Sequence, residues 1–293
     1  VQSGSYPFKK YLCQSFLEHH QSFEPDQFPW PTLTATDQAR LVTPFWGDCL
    51  IQCRRSAQVS GLYATQSGDA LFQEAIALIH QEELRQAKTL STLINTYDLS
   101  CSANHSAPAI AINPPERMFI RWGYRKSLEA LALGGLYQLA QDSHYLPLEF
   151  LILLDPLLDE QVRHASFFAN WLGYQTAKRQ WRWPERQGWV VLGQQQSQFW
   201  RLLESFNRSE RDGNLPDPPT PVAQFMGQWN LSQFLGAAQR NFQTRLDALN
   251  LSFAKAQTVT PGEFPLQQPN FYLRLFQTLQ SGLKFWPQRE IQP

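Results

Sequence analysis

The sequence predicts an all-α protein, and three observations carry that expectation. Apolar residues recur at steps of three and four along Phe72, Ile76, Ile79, Leu90 and Leu93, and again along Phe150, Leu154, Leu157, Phe168 and Trp171. That step is one face of an α-helix. No stretch alternates apolar and polar residues over the length of a strand; Val190-Val191-Leu192 is the one weak candidate. Helix-start chemistry stands ahead of a periodic run, as at Thr34-Ala35-Thr36-Asp37.

In chain order, residues 9–23 read as a short amphipathic helix. Phe28-Pro29-Trp30-Pro31 then breaks the chain, and its rings favour burial, so this is a packed arm rather than a linker. A long helix is expected over 37–63, capped by Thr or Asp, with the seam Leu41, Phe45, Cys49, Gln52, Ser56, Val59 and Tyr63. Pro44 marks either a break or its true first turn. Ser67-Gly68-Asp69 turns the chain into a second helix that ends near residue 97. Residues 98–115 form a long connection closed by Pro114-Pro115.

A third helix covers 116–141, with the seam Met118, Trp122, Arg125, Glu129, Ala132, Leu136 and Leu139. Its Gly134-Gly135 pair either permits close helix packing or weakens the helix. Pro147 opens a fourth helix over 147–176, with a kink expected at Pro156. Further helices are expected over 194–209, 222–250 and 271–283, between proline-rich pieces. The organisation is therefore an N-terminal helical arm (1–36), a four-helix core (37–176) and a C-terminal helical extension packed on it (177–293).

Composition narrows the function. A single core can reach 293 residues. Lys+Arg and Asp+Glu both number 25 and form no basic stripe, which argues against nucleic acid. No run of 18 apolar residues exists, so no transmembrane segment is indicated. The start, Val1-Gln2-Ser3-Gly4-Ser5, lacks the pattern of a secretory signal, and the missing initiator Met points to an upstream segment removed. Cys13, Cys49, Cys53 and Cys101 include no CxxC pair, so structural zinc is not expected. Cys49 and Cys53, four apart on one helix, have poor disulfide geometry, and reduced thiols in a cytoplasmic protein are expected.

The informative feature is polar. Glu83 and Gln86 interrupt the apolar seam of the second helix, and Gln161 and His164 interrupt that of the fourth. Buried, such groups are costly unless something satisfies them. Gln52 and Glu129 add one polar seam residue from each remaining helix. Gln52 lies 31 residues before Glu83, and Glu129 lies 32 before Gln161, so the two helix pairs form a near-repeat.

This spacing resembles the ferritin-like di-metal carboxylate superfamily. There, two helices each give one Glu and two each give a Glu-x-x-His pair. Gln52 and Glu129 match the lone Glu positions, and Glu83-Leu84-Arg85-Gln86 and Gln161-Val162-Arg163-His164 match the pairs. The flanks, Glu82-Glu83-Leu84-Arg85-Gln86-Ala87 and Asp159-Glu160-Gln161-Val162-Arg163-His164-Ala165, are similar to the family's acidic, basic, His, Ala pattern. The likeness covers about residues 37–176, and within the superfamily the chain looks most like the bacterial oxygenase branch that includes p-aminobenzoate N-oxygenase.

The resemblance implies a ferritin-like four-helix bundle and an iron or manganese site built from Glu83, Glu129, His164, Gln52, Gln86 and Gln161. Such a centre would activate dioxygen to oxidise a small organic substrate. Three of those six positions carry Gln, which lacks charge and is a poor ligand for such ions. Amide N–H groups also welcome carboxylates. The expectation is a degenerate site holding two ions, one ion, or none. Glu160, four before His164, could replace Gln161 if the helix rotated locally. The competing reading is a non-catalytic scaffold that binds a small hydrophobic molecule or a protein partner; a third is a structural subunit whose polar seam fixes helix register. A homodimer is compatible with either of the first two.

Other candidates are secondary. His19-His20 is expected to face solvent, and His80 to lie at the site's edge or exposed. Arg125, one turn before Glu129, could enter the core, pair with a carboxylate and compete with a metal. No nucleophile elbow or Gly-rich phosphate loop is present. Trp181, Trp183, Trp189 and Trp200 either pack the C-terminal helices onto the core or line a pocket for an apolar ligand.

Overall fold

A computed structural model of the chain describes residues 5–43, 45–99, 114–179 and 220–257. All regular structure among the described residues is helical, as the seams predict. The helices are α1 (Tyr6–Glu18), α2 (Ala35–Leu41), α3 (Phe45–Gln66), α4 (Ala70–Thr96), α5 (Pro115–Asp142), α6 (Leu148–Arg179), α7 (Pro221–Gly227) and α8 (Leu231–Gln257), with a single 3-10 turn at Pro25–Gln27. No described helix is long and apolar enough to cross a membrane. The expected helices over 194–209 and 271–283, the Val190 stretch, Cys101 and the four tryptophans from Trp181 to Trp200 lie outside the described residues.

Helix starts follow local chemistry. Ser5, Thr34, Asp69 and Thr220 each turn a side-chain oxygen onto a backbone N–H of the first turn. The helix expected over 37–63 is two helices, because the chain turns extended at Val42. The helix expected over 222–250 also divides. Asn230 accepts from the Gln233 backbone N–H while Gln233 Oε1 accepts from the Asn230 N–H, both at 2.9 Å. That reciprocal capping box starts α8 afresh.

Helices α4 and α5 end without glycine. Asp98 (φ 49°) and His144 (φ 52°) take the left-handed conformation, and the residue after each bonds back to the helix: Leu99 N–H to Ile94 at 3.0 Å, Tyr145 N–H to Ala140 at 2.9 Å. These are Schellman ends.

Helix α3 packs on α4 and α5, and α5 on α6, while α4 touches α6. Helix α1 lies against both α4 and α6, and α8 against α5 and α6. The apolar core is aromatic: Phe119 stacks on Tyr63 and Trp122 and meets Trp171 edge-on. The Gly134-Gly135 pair serves packing. A Cβ on Gly135 would lie 2.6 Å from the Phe234 ring, and one on Gly134 would lie 2.8 Å from Asn241 Oδ1, so α8 sits directly on the α5 backbone there. Arg245 of α8 then reaches across to Asp155 and Asp159 of α6.

Candidate functional site

The polar seams of α4 and α6 meet in two layers of reciprocal pairs. In one layer, Glu82 pairs with Arg163, and Arg85 pairs with Glu160. In the other, Glu83 Oε1 lies 3.1 Å from His164 Nδ1, and the Gln161 amide donates to Gln86 Oε1. Both layers match an earlier residue of one helix with a later residue of the other, so the helices run antiparallel. Because Glu82 and Glu83 are consecutive, they point about 100° apart, and the two layers occupy adjoining faces. Glu82, Glu83 and His164 are fully buried, and Glu160, Gln161 and Arg163 nearly so.

His164 is held between two carboxylates. Its Nε2 lies 2.6 Å from Glu82 Oε2 and its Nδ1 3.1 Å from Glu83 Oε1. With both carboxyls ionised each can only accept, so both ring nitrogens donate and the ring takes the imidazolium form. Burial alone lowers its pKa, but the bonds to Glu82 and Glu83 outweigh burial and raise it. Burial likewise pushes Glu82 up, and the hydrogen bond and charge of His164 with the charge of Arg163 reverse this, holding its carboxyl at about 2.

A cation that the seam pattern did not single out occupies the middle. Lys126, on α5, is 1 % exposed and places Nζ 2.7 Å from Glu83 Oε1 and 3.9 Å from Glu129 Oε2. Burial disfavours the ammonium, but the charges of its neighbours, Glu83 first and Glu129 with it, together with the Glu83 hydrogen bond outweigh burial, and its pKa rises. Glu83 responds in kind: burial raises it, and Lys126 and His164 bring it below its ordinary value. Glu129 stays raised, because burial exceeds the pull of Lys126 and Arg125. Glu160 is raised by burial and by the neighbouring Glu82 charge.

The expected site residues divide accordingly. Glu83, Gln86, Gln161 and His164 do come together, and Glu129 joins them through Lys126. Gln52 does not; it is half-buried and accepts from Arg125 at 3.2 Å. Cys53, one residue on, faces the centre instead, its thiol 3.8 Å from Gln86 Oε1. Burial and the Glu83 charge push that thiol far up. Arg125 donates to Gln52 and adds its charge near Glu129, while the cation between the carboxylates is its neighbour Lys126. Glu160 is buried without any rotation of α6 past Gln161 and accepts from the Gln86 amide at 2.7 Å. Cys13, Cys49 and Cys53 are free thiols.

The arm closes the site and overturns the solvent-facing expectation for His20, whose Nδ1 lies 2.6 Å from Glu82 Oε1. Around it, the Phe16 carbonyl accepts from Arg163 at 3.1 Å and the Gln21 carbonyl from Arg85 at 3.3 Å. The Arg163 guanidinium sits 4.6 Å over the Phe16 ring, and Arg85 sits 4.4 Å over Phe23. His80 is tied to the Ala57 carbonyl at 2.7 Å, away from this network.

As placed, these residues do not fit an iron or manganese ion. Among the described residues, no three His, Cys, Asp or Glu side chains are placed to hold one. Glu83 Oε2 is buried and unpartnered, as a ligand oxygen would be, and so is Gln161 Oε1. But the Lys126 ammonium stands on the same carboxylate, and both His164 ring nitrogens are already engaged by Glu82 and Glu83. No family model, curated protein or solved structure matches the chain.

Proposed function

We propose that the chain is a divergent ferritin-like four-helix bundle that works as a binding scaffold, for a small hydrophobic molecule or a protein partner, rather than as a dioxygen-activating enzyme. The antiparallel reciprocal pairing of Glu83 with His164 and Gln86 with Gln161 carries the reading. It brings the two positions of each Glu-x-x-His-like pair face to face, as the resemblance implies, yet uses them on one another. The His164 imidazole and the Gln86 and Gln161 amides each serve a neighbouring side chain, with Gln161 Oε1 alone of the amide oxygens left over. An oxygenase remains the alternative on the family resemblance alone; the donor set gives it less support.

Anaerobic protein mixed with ferrous iron and then with oxygen tests the enzymatic alternative. Iron oxidation no faster than in buffer is expected, and catalysed oxidation would sink the scaffold reading. Native mass spectrometry of protein purified under non-denaturing conditions tests the binding role. A bound hydrophobic molecule of defined mass, or a stoichiometric partner chain, is expected.

A further inference from the structure

Four buried carboxylates meet at this centre: Glu82, Glu83, Glu129 and Glu160. Four cationic side chains stand on them: Arg163 and His164 from α6, Arg85 from α4 and Lys126 from α5. Three of the cations use Glu82 or Glu160, on the face closed by the arm. Lys126 alone joins Glu83 to Glu129, the two carboxylates at positions that match metal ligands in the resemblance.

We propose that Lys126 is the resident cation of this core: its ammonium bridges α4 and α5 in place of a metal ion, and bars a divalent ion as long as it is present. The inference rests on the ferritin-like reading above. A flexible lysine stem brings its own charge into the core, so no ion need be captured and no water stripped from one. Nζ at 2.7 Å from Glu83 Oε1 fills the approach to that carboxylate from α5. A divalent ion between Glu83 and Glu129 would meet both Nζ and the His164 N–H at close range.

The test compares wild type with Lys126→Met, alone and combined with Gln86→His and Gln161→Glu. Wild type incubated with Mn2+ and desalted is expected to keep far less than one ion per chain, with an unmoved Tm. Lys126→Met should melt lower than wild type and regain Tm on adding Mn2+, because an ion that binds only the folded chain stabilises it. The triple variant should hold Co2+ at close to one ion per chain, visible in its absorption. Wild type that retains one or more Mn2+ per chain overturns the inference, as does a folded Lys126→Met with undiminished Tm and no response to Mn2+. If Lys126→Met does not fold, Lys126→Arg decides: a retained cation should keep the chain folded and indifferent to Mn2+, and uptake by this variant overturns the idea. Mn2+ uptake by wild type without iron oxidation defeats this inference alone, whereas catalysed iron oxidation defeats the scaffold reading.

Discussion

Lys126 donates from its ammonium to Glu83 Oε1 at 2.7 Å, and both side chains are sealed from solvent. Removing one member of such a pair leaves a buried charge uncompensated, a loss of about 3–5 kcal/mol. Lys126→Met is therefore expected to destabilise the chain by about that amount in urea unfolding. Glu83→Met combined with it should cost less than the two single changes added together, with a coupling of about 0.5–3 kcal/mol. Strict additivity would mean that the two groups do not stabilise one another.

The crossed pairs Glu82–Arg163 and Arg85–Glu160 predict a rescue by exchange. Arg85→Glu alone sets two acidic groups together in a nearly dry site, and Glu160→Arg alone sets a second guanidinium beside Arg85. Each single change should unfold the chain or lower Tm steeply. The double exchange restores one positive and one negative partner, and is expected to recover a large part of the loss in thermal melts. A double variant no better than the worse single one would show that the pair does not act as a unit.

His164 and Glu82 set opposite limbs of a stability–pH profile. The folded pKa of His164 lies above its ordinary 6.5, so its contribution is complete below that value and is lost as pH rises through the folded value. Glu82 is held at about 2, so its contribution is complete above the ordinary 4.5 and is lost as pH falls from there. His164→Gln should flatten the alkaline limb. It should also move the acid limb to higher pH, because Glu82 loses its strongest opposing partner. Melting temperatures across the acid and alkaline ranges check both, with His20→Gln as control for the histidine on the same carboxylate. An unchanged alkaline limb in His164→Gln would refute the imidazolium assignment.

Much of this arrangement is legible in the sequence, and the misses have physical causes. Helical class and the extents of α4, α5 and α6 follow from seam spacing, because those helices bury a continuous face. The meeting of Glu83, Gln86, Gln161 and His164 follows from the same spacing. Lys126 is not legible. It lies next to a seam position, and a lysine there usually snorkels to solvent; only its pairing in three dimensions explains its burial. Glu82 and Arg163 escape for a related reason, since a single seam cannot show that α1 covers a second face of α4 and α6. The repeated Glu-x-x-Arg spacing, Glu82 to Arg85 and Glu160 to Arg163, was the available signal. The break before α8 was also readable, as Asn230 three residues before Gln233 is a capping-box spacing. The left-handed ends at Asp98 and His144 were not, because neither residue is the glycine that marks such ends.

His144 is exposed and adopts φ 52° just past α5, where its Cβ crowds the following carbonyl. Glycine has no such clash but loses more backbone freedom on folding. The balance favours glycine at this φ, so His144→Gly should gain about 0.5–1 kcal/mol in urea unfolding. Asp98, exposed at φ 49° past α4, should gain less on the same change, because aspartate tolerates the left-handed region better than histidine. Equal gains would indicate that side-chain type does not matter at these ends. A loss at His144 would mean that α5 does not end in the left-handed turn that carries the Tyr145 N–H back to Ala140.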